Sequence, residues 1–193
     1  LHNSDKPQSS FDQSYPNIEH KNMVWINASK MGTTEDHNGS YRRKYEAEII
    51  AKYVKEIVES TEWKVLPEEK KKEEIGVITF YSWQKEEIKE KLIKAVGEES
   101  AKFIEVGTVD SFQGKEFPIV FLSLVRTNTS SSLGFLVDEN TGRNRQCVAL
   151  SRAQKCLIIV GNQDILKYKG AAKGIPALID FHKQCKEGRP YCE

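Results

Sequence analysis

Two short stretches carry residue types that could do chemistry: GTVDSFQGKE, Gly107 to Glu116, and CVALSRAQ, Cys147 to Gln154. In the first, the hydroxyls of Thr108 and Ser111 suit phosphate oxygens, and Gln113 offers an amide that both donates and accepts. Gly114 would let the backbone approach a ligand closely, and Glu116 can accept hydrogen bonds from ribose hydroxyls. In the second, Arg152 could supply positive charge to a γ-phosphate in a transition state, a contribution worth about 10³–10⁵ in rate. Each residue also has an ordinary reading. Glycine ends many strands and an isolated glutamate is usually solvated. Taken alone, Arg152 is more readily read as a structural arginine paired with a carboxylate, and Arg145 as a solvated side chain. The whole ten-residue string is more specific than any of its letters.

In open α/β sheets, ligands bind where strands end and loops turn into helices, so strand ends must hold both stretches. The hydrophobic pattern supplies them. Met23 to Ala28, Ile75 to Phe80, Phe103 to Gly107, Ile119 to Val125 and Cys156 to Val160 read as strands. Ile119 to Val125 is the most apolar of these and is expected at the sheet centre, with Pro118 just before it. Helices are expected over Tyr45 to Ser60, Gln84 to Val96, Arg145 to Gln154, Gln163 to Tyr168 and Pro176 to Lys186. This places Arg152 inside a helix. Lys30 to Ser40 reads as a loop with Gly32, Asp36, Asn38 and Gly39 as turn residues. Thr127 to Gly142 reads as a long polar loop around Gly134-Phe135-Leu136. The run PEEKKKEE, Pro67 to Glu74, has acidic residues on both sides of its lysines and reads as a solvated helix end or loop. Strand and helix alternate, which implies an α/β fold: a mostly parallel sheet flanked by helices in three layers.

The 193 residues and 22.0 kDa suit one domain. Its expected limits are 23–187, with an extended connector over 1–22 and a short tail over 188–193. The 29 basic and 28 acidic residues leave a net charge of +1, so any nucleic-acid binding must come from a local patch or another domain. No apolar run is long enough to span a membrane, and the polar start without Met reads as a piece of a longer protein. Cys147, Cys156, Cys185 and Cys192 form no C-x-x-C pair and lie far from the histidines, which reads as reduced thiols, an intracellular setting and no metal site.

GTVDSFQGKE, IVFLSLVR, GFL and CVALSRAQ occur in this order, preceded by YEAEIIAKYV and IGVITFYSWQKEEIKEKL. Over residues 20 to 165 the chain resembles the second RecA-like domain of a superfamily 1 helicase, most similar to the branch of the nonsense-mediated-decay helicase and senataxin. The resemblance implies that Glu116 binds the nucleotide ribose, that Arg152 contacts the γ-phosphate, and that Arg145 is the first arginine of the last motif. It implies that Thr108, Asp110 and Ser111 touch the nucleic-acid backbone, with Gln113, Gly114 and Lys115 forming the turn between the two sites. Tyr81 and Gln84 match a strand exit that faces the bound strand, and Glu46 matches a glutamate near the cleft. By residue type, Tyr81 or Trp83 could stack bases, although an aromatic such as Trp83 at a strand–helix junction is more often packed in the core. Cys147 stands where the family usually has Asn, and Pro118 where an acidic residue is commoner. There is no G-x-x-x-x-G-K-[ST] loop. ATP would therefore bridge to the first RecA-like domain of the same chain, which would hold Mg²⁺ in the main. The expected partner is a single strand of RNA or DNA, and the fragment alone is expected to be inactive. The alternative is a non-hydrolysing helicase-like scaffold that binds nucleic acid.

Overall fold

The computed structural model describes residues 22–29, 33–127, 136 and 142–187. The expected connector up to residue 21, the tail over 188–193, Gly32, Gly134, Phe135 and Cys192 lie outside these residues.

In chain order the strands and helices are β1 (Met23–Asn27), β2 (Glu35–His37), β3 (Ser40–Arg42), α1 (Lys44–Glu59), α2 (Thr61–Val65), α3 (Glu68–Lys72), β4 (Ile75–Thr79), α4 (Ser82–Val96), α5 (Glu98–Ala101), β5 (Glu105–Thr108), β6 (Phe117–Ser123), α6 (Gly142–Leu150), β7 (Ala153–Gly161), α7 (Ala171–Gly174) and α8 (Pro176–Glu187). Five strands form one sheet in the order β1-β7-β6-β4-β5, and every pair is parallel. β6 is the middle strand, as its composition requires: both of its faces are covered, so it reads as a continuous apolar run.

Alternate residues of each strand feed two cores. Val77, Ile119, Phe121, Ile158 and Val160 pack under α1 and α4, together with Ile50, Val54, Ile57, Ile88 and Leu92. Ile78, Val120, Leu122, Leu157 and Ile159 pack under the opposite layer, with Val109, Phe112, Ala149, Ile175, Leu178 and Phe181. Helices thus flank the sheet on both sides in a RecA-like three-layer fold. The PEEKKKEE run becomes α3, a single exposed turn of helix with no buried residue.

Three local readings are corrected. The segment read as a loop up to Ser40 contains β2 and the turn of a hairpin that β3 completes. Its turn is Asn38-Gly39, both with positive φ (51° and 79°), the type I′ geometry that suits a two-residue hairpin. The turn residues were legible, but three-residue strands of polar side chains carry no hydrophobic alternation. Pro118 lies inside β6 rather than before it, at the register shift between Phe117 and Ile119, where the missing N–H is tolerated. The helix expected over Arg145 to Gln154 instead spans Gly142–Leu150. Ser151 and Arg152 form the turn into β7, so Arg152 is not helical.

Candidate functional site

Thr108 closes β5 at the carboxyl edge of the sheet, and the chain then descends one face to begin β6 at the amino edge. A 3-10 turn, Val109–Phe112, makes the descent possible. The Ser111 hydroxyl donates to the Thr108 carbonyl at 2.7 Å, and Phe112 is fully buried as the anchor. The turn lies so close to β5 that a Cβ on Gly107 would come within 2.8 Å of the Phe112 ring. Beyond the anchor, Gln113, Gly114, Lys115 and Glu116 are all exposed. Gly114 has φ +82° with open space around it, so a left-handed bend rather than crowding requires glycine there. The Lys115 ammonium donates to Glu105 at 2.7 Å.

The second stretch arrives at the same place from the other side. The Arg152 carbonyl accepts from the Phe117 N–H at 3.0 Å, joining the start of β6 to the start of β7. The half-buried Arg152 guanidinium donates to the carbonyls of Val148 (3.0 Å) and Lys115 (3.3 Å) and to the Ser151 hydroxyl (2.8 Å). It thereby caps the Val148 carbonyl in the last turn of α6, where the helix dipole favours a cation. Among the described residues its partners are carbonyl and hydroxyl oxygens, rather than the carboxylate expected of a structural arginine. Glu116 and Arg152 each precede a strand, so they lie at the amino edge of the sheet. The rule of ligands at carboxyl ends does not describe this part of the site.

Higher on the same face, Arg145 is paired with Asp110, Nε to Oδ1 at 3.1 Å and a terminal nitrogen to Oδ2 at 3.3 Å. This two-point contact ties α6 to the 3-10 turn and so links the two stretches, while engaging two residues expected to meet ligands separately. The expected ligand residues thus fall into two groups. Gln113 to Glu116 gather with Arg152, and Thr108, Asp110 and Ser111 gather with Arg145.

Tyr81 and Gln84 join neither group. Tyr81 is 3% exposed and packs edge-on to Tyr41 with ring centroids 5.2 Å apart. Gln84 is fully buried: its oxygen accepts from the Arg43 N–H (2.7 Å), and its nitrogen donates to the Arg43 carbonyl (3.2 Å) and Ser123 Oγ (3.0 Å). These positions follow from the apolar exit of β4, which draws the first turn of α4 inward.

Glu46 is likewise interior. Its carboxylate receives Arg43 at 3.1 Å, Ser123 Oγ at 2.8 Å and the Val125 N–H at 2.8 Å, and both Arg43 and Glu46 are fully buried. Burial pushes the Glu46 carboxyl above its ordinary pKa, while Arg43, the Val125 N–H and Ser123 oppose that shift. The network holds an unusual backbone. Val125 has φ +66°, rare for a β-branched residue, and the Arg126 N–H donates back to the Leu124 carbonyl at 2.7 Å. Glu46 grips the Val125 N–H, and Thr34 Oγ1 donates to its carbonyl at 2.7 Å. Arg43 was not singled out in the sequence, although its i,i+3 spacing from Glu46 was a readable signal. Gln146 was also missed. It is buried and donates to the Gly174 carbonyl at 2.8 Å and to the Leu136 carbonyl, fastening α6 to α7.

The family described as an AAA domain matches residues 2–164. The chain is 35% identical over 150 residues to the DNA polymerase alpha-associated DNA helicase A of Saccharomyces cerevisiae, which is 77% of this chain and 20% of that protein. It is 34% identical over 151 residues to the Regulator of nonsense transcripts 1 homolog of Arabidopsis thaliana, 77% of this chain and 11% of that protein. It is 42% identical over 94 residues to the Schizosaccharomyces pombe helicase required for RNAi-mediated heterochromatin assembly 1, 49% of this chain and 9% of that protein. The chain therefore spans a fifth or less of the length of these relatives.

Proposed function

Because the chain belongs to the AAA-domain family of superfamily 1 helicases, on the branch of the nonsense-mediated-decay helicase and senataxin, we propose that it is the second motor domain of an ATP-driven helicase. In this reading it forms one wall of an interdomain nucleotide cleft and part of a track for single-stranded nucleic acid, inside the cell. The observation that carries the reading is the Arg152 guanidinium resting on the Lys115 carbonyl, which sets a cation beside the exposed Gly114–Glu116 bend.

The donor set fits a nucleotide. Arg152 presents fixed positive charge for phosphate oxygens, Glu116 presents a carboxylate for hydroxyl donors, and Gly114 leaves the space above the bend open. ATP would supply the free energy of phosphate hydrolysis, with Mg²⁺ held mainly by the first domain. On this side, Arg152 exchanges its carbonyl partners for phosphate as the cleft closes, and Glu116 orients the sugar. Asp110 and Arg145 join the nucleotide wall to Thr108 and Ser111, so a shift of α6 is felt at the nucleic-acid side. A domain with only these groups lacks a phosphate-cradling loop, so hydrolysis requires the first domain.

The test is ATP hydrolysis by the full-length protein with single-stranded RNA or DNA. Arg152→Ala should lower the stimulated turnover about 10³-fold or more while leaving nucleotide affinity largely in place. Turnover unchanged in that variant refutes the role of Arg152. Nucleic-acid binding without any hydrolysis by the unaltered protein favours the scaffold alternative.

A further inference from the structure

Of the three tryptophans, Trp25 and Trp63 are 0% and 3% exposed, whereas Trp83 is only half-buried, in the first turn of α4. Its neighbours are not those of a core residue. The Arg42 guanidinium lies 4.1 Å from the indole centroid, and the exposed His37 ring lies 5.3 Å away at 49°. Both come from the β2–β3 hairpin, which is fastened to α4: Ser40 Oγ accepts from the Trp83 N–H at 3.1 Å and lies 3.2 Å from Ser82 Oγ.

Arg42 is itself immobilised. It donates twice to Glu35, at 2.9 and 2.7 Å, and once to Glu87 at 2.9 Å. The guanidinium cannot leave the indole without breaking these charge-assisted bonds. Lys44 pairs with Glu35 at 3.2 Å, and Lys91 lies 3.8 Å from Glu87 and donates to a third carboxylate, Glu48, at 2.6 Å. The cluster's cations are thus matched by carboxylates, which makes it a poor grip for phosphate. It is a rigid, flat, electrically balanced aromatic surface, which suits a neutral planar ligand.

Trp83 follows the carboxyl end of β4. The neighbouring strand β5 ends at Thr108, which is in register with Thr79 of β4. We propose that Trp83, backed by Arg42 and flanked by His37, is a stacking platform for an unpaired nucleobase on the carboxyl edge of the sheet. The inference rests on the nucleic-acid track described above and adds to it a base contact that is independent of phosphate. Tyr81, the other aromatic at this exit, is buried and cannot serve.

The full-length protein is titrated at two salt concentrations with labelled single-stranded oligothymidine and oligouridine, and with a labelled abasic strand of equal length, following the anisotropy of the label for binding and tryptophan fluorescence for stacking. Stacking of one base predicts that Trp83→Ala weakens binding of the base-bearing strands about 5- to 150-fold. Trp83→Phe should retain most of the affinity. The salt slope should not change, because no phosphate contact is lost. Affinity for the abasic strand should be the same with and without Trp83. Equal binding of base-bearing strands by Trp83→Ala and the unaltered protein overturns the platform alone, as does an equal loss on the abasic strand. If Trp83→Ala does not fold, fluorescence of the unaltered protein decides: quenching by base-bearing but not abasic strands supports the platform, and equal quenching refutes it. No binding of any strand by the unaltered protein refutes the track and the platform together.

Discussion

Replacing Glu46 with leucine tests the interior network that shapes the end of the central strand. The substitution keeps the volume roughly constant but removes the acceptor of three hydrogen bonds, from Arg43, Ser123 and Val125. Arg43, fully buried, then loses the carboxylate that balances its charge. Breaking a buried pair from one side costs about 3–5 kcal/mol. For a domain of this size each kcal/mol is worth about 2–4 °C, so the melting temperature should fall by roughly 6–20 °C. The Arg43→Met, Glu46→Leu double variant removes the stranded charge and leaves mainly the Val125 N–H and Ser123 hydroxyl without their acceptor, about 1–3 kcal/mol. Thermal and urea unfolding should therefore show the double variant about 2 kcal/mol less destabilised than Glu46→Leu alone. The sign of the pH dependence follows from the raised pKa of Glu46. Its folded-state value lies above the unfolded one, so its contribution is fully present below the unfolded pKa and is lost as pH rises through the folded pKa. The deficit of Glu46→Leu should then shrink as pH rises, and Glu46→Gln, which mimics the protonated carboxyl, should be milder. A loss below about 1 kcal/mol for Glu46→Leu, or a double variant as costly as the sum of the singles, refutes the reasoning.

Two further outcomes follow from the local geometry. Gly114→Ala meets no neighbour but must hold φ +82°, so urea unfolding should show a loss of about 1–2 kcal/mol; an unchanged midpoint would mean the bend is not kept. Burial, with Cys185 nearby, pushes the Cys156 thiol up to about 12, whereas Cys147 is exposed. A thiol reagent at neutral pH should label Cys147 in the folded protein and Cys156 only on unfolding, and comparable rates at both would contradict the packing of β7.

What was legible from residues alone divides along a physical line. The apolar runs of β4, β6 and β7 and the one-faced pattern of α1 are periodic signals. They placed the parallel sheet, with β6 at its centre, and the two stretches beside its strands. Which edge of the sheet each stretch meets was not legible, because that depends on the 3-10 descent after Thr108, whose signal is only the closeness Gly107 permits. Buried polar residues were not legible for a related reason. Hydropathy reads Arg43, Glu46 and Gln84 as surface, yet each is satisfied by partners far along the chain or by backbone that no side-chain pattern encodes. Glu46 sits 79 residues before the N–H it binds at Val125, and Gln84 sits 41 residues after the Arg43 backbone it bridges. A charged residue on an apolar helix face next to a strand end is therefore better read as the acceptor of a deformed backbone than as a ligand group. The same logic works in reverse for Trp83. Hydropathy would send it to the core, but the hairpin below it is too polar to cover it, and the pinned Arg42 holds the ring at the surface, where a stacked base can reach it.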